Sequence, residues 1–278
     1  MRDNEDRFQV PDSGESAAVH STEQPLSFAS PTEIVELPSR GQLYPEGHIL
    51  RGKDTLEIRF MTAKDEDILT SKALIKKGVA IDRMLQNIIV DKNVKVEDLL
   101  LGDKNALTVA ARISGYGPEY DVSVTCPSCE TKAKHTFDLS DLPHKEVSAL
   151  EEMGVKTTPN GTFLVTLLRT QAEVEFRLLT GKDEAEIISE STSKTVKKEE
   201  ANSTSQLKRV VLSVNGITDK RQVATFIDNL PVVDAKLLRS VIKNISPDVD
   251  MVQEFSCSTC GHEEDMEVPF TVEFFWPK

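Results

Sequence analysis

The 278-residue chain has no run of about 18 apolar residues, the length a membrane-crossing helix requires, and its first residues, Met1-Arg-Asp-Asn-Glu-Asp6, lack the basic start and apolar stretch of a secretory signal. The expectation is a soluble protein kept in a cytosol. Positive charge is scarce: 33 Lys and Arg stand against 46 Asp and Glu, a net charge of −13. Such a surface repels phosphate backbones and anionic lipid headgroups, which argues against nucleic-acid and membrane partners. No nucleophile elbow, zincin helix or nucleotide fingerprint occurs. Thr180-Gly-Lys182-Asp183 superficially suggests a phosphate loop, but it lacks a preceding glycine and the Ser or Thr after the lysine. Neither an enzyme nor a small-molecule substrate is expected.

Cysteine is limited to four, and all four fall in two matching turns, Cys126-Pro-Ser-Cys129 and Cys257-Ser-Thr-Cys260. Thiols stay reduced in a cytosol, which favours metal binding or catalysis over disulfides for such pairs. By the same logic the sequons at Asn160 and Asn202 are chance matches. Cys129 and Cys257 are too far apart for a single-segment zinc module, yet two equivalent hairpins could meet and close one tetrahedral shell of four thiolates. One structural zinc held by Cys126, Cys129, Cys257 and Cys260 is therefore expected, ahead of two separate metal or redox sites or of unliganded thiols. His135 and His262 are weaker candidates, because neither has a histidine counterpart in the other half. Four thiolates leave no open coordination position for catalysis. A structural zinc supplies on the order of 10 kcal/mol of folding free energy, so losing a ligand is expected to disturb the docking of the halves.

The cysteine spacing sits inside a larger repeat. Glu57, Arg59, Thr62, Lys64, Asp65 and Glu66 recur as Glu175, Arg177, Thr180, Lys182, Asp183 and Glu184 at an offset of 118. Asp103, Leu107, Cys126 and Cys129 recur as Asp234, Leu238, Cys257 and Cys260 at an offset of 131. The polar stretch from Ser191 to Gln206 absorbs the difference, since lengthening a surface loop costs little closure entropy. The reading is a tandem duplication: an α+β fold of two strand-helix-hairpin units joined by a shared four-cysteine zinc ribbon. Residues 1–33, polar and aperiodic, form a disordered acidic tail, residues 34–143 the first unit and residues 144–278 the second.

In the first unit Thr55 to Phe60 reads as a half-buried strand. Thr62 and Thr180 read as helix N-caps with acidic first turns, and this local role outweighs a catalytic use of the repeated Lys-Asp-Glu triplets. Ile81, Leu85, Ile88 and Ile89 mark a helical face, and helices are expected to begin at Asp103 and Asp234. Short strands, Tyr120 to Thr125 and Met251 to Phe255, lead into the knuckles, with alternation resuming at Lys134 and Asp265. The closing Phe274-Phe275-Trp276 suits either a last core strand or an exposed docking anchor.

The ordered set Glu36-Leu-Pro-Ser-Arg40-Gly41-Gln-Leu-Tyr44-Pro45, the Gly102-Asp103 helix start, Tyr116-Gly117, both knuckles and Phe274-Phe275-Trp276-Pro277 resembles the T-even-type bacteriophage baseplate hub proteins, over residues 34 to 278. The resemblance implies a non-enzymatic structural or assembly component of a contractile tail, docking with other tail and baseplate proteins. It implies residence in the host cytoplasm during assembly and, for a subunit that stays, in the virion tail. A resident hub subunit and a factor that departs both fit. Arg40, Tyr44, Phe274, Phe275 and Trp276 are candidate contacts by side-chain type. The alternative is a zinc-ribbon nucleic-acid-binding or regulatory protein, which needs a basic face. Lys132 and Lys134 follow the first knuckle, but Glu263, Glu264 and Asp265 follow the second.

Overall fold

The computed structural model describes residues 30–145, 147, 150–192, 203–269 and 272–275. The expected tail therefore lies almost wholly outside the described residues, as do most of the polar stretch before Gln206 and Trp276. The first element among the described residues is β1 (Thr32–Glu36), which begins two residues before Ile34 and pairs antiparallel with β2 (Thr55–Arg59). Leu56 and Ile58 of β2 point inward, as the alternation predicts.

The chain then turns into α1 (Ala63–Thr70), α2 (Lys72–Lys77) and α3 (Ala80–Ile88). Thr62 caps α1, and Asp65 reaches back to accept the Thr62 N–H and hydroxyl, each at 2.8 Å. This satisfies donors that a helix start leaves orphaned. The side chain does more than capping predicts, because Arg59 also grips Asp65 through two hydrogen bonds of 2.7 and 2.9 Å. After α3, Ile89 bridges back to Ile58, and a 3₁₀ turn at Val96–Asp98 leads to the long α4 (Leu101–Tyr116). The hairpin β3 (Glu119–Thr125) and β4 (Lys132–Asp138) follows.

The second half opens with the antiparallel sheet β5 (Lys156–Thr157), β6 (Phe163–Thr166), β7 (Glu173–Phe176) and β8 (Val211–Val214), in that order. Helices α5 (Gly181–Thr192) and α6 (Ser203–Val210) lie between β7 and β8 in sequence, and α7 (Lys220–Asp228) and α8 (Val232–Ile245) come after. The hairpin β9 (Val252–Ser256) and β10 (Glu263–Glu267) ends in a 3₁₀ turn, Val272–Phe275, where a last strand was one expectation. The run Leu207 to Val214 divides into the end of α6 and all of β8, a switch that apolar residues alone do not reveal.

Several contacts occur once in each half. Arg177 grips Asp183 at 2.6 and 2.7 Å while Asp183 accepts the Thr180 N–H at 2.9 Å, as at Arg59, Asp65 and Thr62. Asp103, wholly buried in the first turn of α4, accepts the Ser39 N–H at 2.9 Å; Asp234, wholly buried in the first turn of α8, accepts the Arg169 and Thr170 N–H groups at 2.9 Å. The halves also differ: the nine-residue α7 stands where the first half has only a 3₁₀ turn, and the four-stranded sheet where it has two strands and a bridge.

One apolar core runs through both halves, from Val35 to Phe275. Asn105 donates to Asp248 at 3.0 Å, and the junction residues pair with the stretch before β9 through Lys145 N–H to Asp248 O (2.9 Å) and Asp250 N–H to Pro143 O (2.7 Å). The halves are thus held by a shared core and by these junction hydrogen bonds.

Candidate metal centre

Each cysteine pair occupies the tip of a hairpin, Cys126 and Cys129 between β3 and β4, Cys257 and Cys260 between β9 and β10. The two tips have the same backbone. Cys126 N–H donates to Thr131 O (3.0 Å) and Glu130 N–H to Cys126 O (2.9 Å); Cys257 N–H donates to His262 O (2.8 Å) and Gly261 N–H to Cys257 O (2.9 Å). Closing so tight a turn puts the residue after the second cysteine in the left-handed region, Gly261 at φ 69° and Glu130 at φ 56°. Glycine accepts that conformation freely and glutamate does not.

The hairpins bring all four predicted sulfurs together. Cys126 Sγ lies 3.7 Å from Cys260 Sγ and Cys129 Sγ 3.8 Å from Cys257 Sγ, and the four atoms lie within 4.8 Å of one another. A tetrahedral shell with metal–sulfur bonds of about 2.3 Å has edges of about 3.8 Å, so the donor set fits zinc in type, number and spacing. The cysteines are free thiols; a disulfide would need sulfurs about 2.05 Å apart. Cys126 and Cys257 are buried, Cys129 is half-buried and Cys260 is exposed, so the cluster reaches solvent on the Cys260 side.

Electrostatics separate the sulfurs. Hydrogen bonds from the Thr131 hydroxyl and N–H bring Cys129 down to about 6, and the Cys260 and Thr259 N–H groups lower Cys257. At Cys260 the His262 N–H pulls the same way, but local loss of water around the sulfur and the three neighbouring sulfurs outweigh it and push the thiol up to about 12. Four sulfurs this close cannot all carry charge by themselves, and a divalent cation would remove that repulsion.

Neither histidine joins the cluster. His135 packs edge-on against Phe137 and Phe255, with ring centroids 4.5 and 5.2 Å apart, and His262 Nε2 lies 3.2 Å from Glu264. The candidate contact residues divide. Arg40 is exposed, at φ 48°, but Tyr44, Phe274 and Phe275 are almost wholly buried and belong to the core. Tyr44 turns inward because its hydroxyl donates to Asp103 and accepts the Leu100 N–H. The two phenylalanines turn inward because they pack on Tyr116 and Tyr120 beside α4.

Reading along the sequence did not single out Arg112. This fully buried guanidinium donates to the carbonyls of Phe274 (2.6 Å), Gly117 and Glu119 (2.9 Å), fastening the end of the chain to α4 and β3. The only signal was an arginine in an apolar helix face, which also fits a surface residue whose stem lies along the core. Among the described residues no helix is long and apolar enough to cross a membrane.

A family model described as "T4 bacteriophage base plate protein" matches residues 31–276. No curated protein and no solved structure matches the chain.

Proposed function

The chain belongs to the T4 bacteriophage base plate protein family, and from that premise we propose that it is a non-enzymatic component of the baseplate hub of a contractile tail, acting by docking other tail proteins. The match over residues 31–276 carries this reading. The buried polar groups agree with it: Asp65, Asp103, Asp183 and Asp234 are each occupied by hydrogen bonds that hold turns and helix starts, a structural use.

Cys126, Cys129, Cys257 and Cys260 are the proposed ligands of one structural zinc, supported by the convergence of their sulfurs. When bound, the ion supplies cross-linking and neutralises thiolate charge. We also read the chain as two repeats, residues 34–143 and 144–278, supported by the paired contacts of Asp65 with Asp183 and of Asp103 with Asp234 and by the like geometry of the knuckles.

Mass spectrometry of purified virions and of tail intermediates from infected cells tests the role. Recovery with baseplates supports it, recovery from intermediates alone identifies a factor that departs, and absence from both refutes it. Elemental analysis of the native protein tests the metal: one zinc per chain is expected, and no stoichiometric metal would refute the site.

A further inference from the structure

Inside the chain the starts of α4 and α5 meet in a short antiparallel bridge. Leu101 N–H donates to Leu179 O at 3.1 Å and Gly181 N–H to Leu99 O at 2.9 Å, and one turn further on Lys104 pairs with Glu184. Leu100, Gly102 and Gly181 are buried there.

On the repeat reading, on which this inference rests, the start of α4 corresponds to the start of α8, residues 231–233. The start of α5 corresponds to the start of α1, residues 61–63. Among the described residues no backbone hydrogen bond joins either of these starts to another element. Both lie open. Val232 is 78% exposed and Val233 51%; Leu168, held beside them because Arg169 and Thr170 wrap Asp234, is 62% exposed. Thr62 and Ala63 are exposed as well. The charges complement each other: exposed Lys236 follows the α8 start, exposed Glu66 and Asp67 follow the α1 start, and no ion pair engages any of the three among the described residues.

We propose that the chain associates with copies of itself head to tail, the α8 start of one molecule seating on the α1 start of the next, with Val232 and Leu168 against Met61 and Ala63 and Lys236 facing Glu66. One such joint leaves a free face of each kind, so growth continues until a ring closes or a filament forms. The joint is looser than the internal one. A Cβ on Gly181 would meet Val96 O at 2.5 Å, so the α5 start sits hard against the 3₁₀ turn that leads into α4, whereas its outer counterpart, Ala63, carries a Cβ. Apolar contact and charge carry the outer joint, and it forms with rising concentration.

Sedimentation of the full chain in zinc-replete buffer, from about 1 to about 100 μM, the range of weak interfaces, should show mass increasing past the dimer. Lys236→Glu and Glu66→Lys should each weaken growth about tenfold without altering the circular dichroism. An equimolar mixture of the two should regain growth by alternation, because every joint between unlike variants again pairs opposite charges, the double variant should grow again on its own, and Ala63→Gly should tighten growth. A wild-type chain that stays monomeric, one that stops at a dimer, or single variants that grow like wild type would overturn the proposal. A monomer that still enters virions would overturn it alone, leaving the baseplate role intact; association as described by a chain absent from virions and tail intermediates would overturn the role instead.

Discussion

Tyr44 and Asp103 meet in the core, the phenol donating to Oδ2 across 2.7 Å although 59 residues separate them. The same phenol oxygen accepts the Leu100 N–H at 3.0 Å, and Ser39 supplies the carboxylate with two more donors. Burial pushes Asp103 above the usual carboxylate range while the Ser39 and Tyr44 donors pull against it, so every donor counts. His48 stacks on the Tyr44 ring at 4.5 Å.

Tyr44→Phe keeps the packing but removes one donor from a buried carboxylate and the acceptor of a buried N–H. An unmatched buried polar group costs about 1 to 3 kcal/mol. The variant should lose about 2 to 3 kcal/mol in urea denaturation with an unchanged slope.

Asp65 makes stability fall in acid. Burial would raise its pKa, but the Arg59 fork, both Thr62 donors and the Asn87 amide outweigh burial and bring it to about 2. An unfolded aspartate titrates near about 3.9. A folded value below the unfolded one contributes stability that is complete above about pH 4 and is lost as the pH falls through about 2. Asp183 is shifted the same way by Arg177 and Thr180, again against burial. Asp65→Asn should be less stable at neutral pH and should lose less on going from about pH 4 to about pH 2, as read from melting temperatures across that window.

Cys126→Ser or Cys257→Ser should yield protein without stoichiometric zinc. Because one core spans both halves, the variants should remain folded around α4 while the two hairpins become sensitive to protease. A structural zinc contributes on the order of 10 kcal/mol in a minimal module; here a fall in melting temperature of about 10 °C or more is expected. Unaltered melting in a zinc-free variant would show that the metal plays no part in stability.

Arg112→Met should release the end of the chain. The buried carbonyl of Phe274 and the partly buried carbonyls of Gly117 and Glu119 lose their donor, which costs about 2 kcal/mol. Phe274 and Phe275, each worth roughly 2 to 3 kcal/mol when buried, should then exchange with solvent. Limited proteolysis should clip the C-terminus of the variant before the wild type.

Local chemistry was legible wherever the deciding groups lie within a few residues of one another. Thr62 and Asp65 predict a cap because a side chain three positions into a helix reaches the cap N–H. The C-x-x-C spacing predicts a knuckle because two thiols three positions apart can point one way from a tight turn. The recurrence of both patterns suggested two related units. By contrast, nothing near Arg59 announced that it would clasp Asp65, and the aromatic character of Tyr44, Phe274 and Phe275 suited core and surface equally.

What the sequence alone determined is therefore the set of short-range devices, two knuckles and two capped helix starts, together with an acidic composition. Tertiary structure decided what those devices face. It set Cys126 beside Cys260 across 134 residues, turned Tyr44 inward onto Asp103, and brought Arg112 to the carbonyl of Phe274. The reason is physical: a turn or cap is governed by dihedral angles and reach within one segment, whereas burial and long-range pairing depend on how all the apolar faces of the chain pack at once.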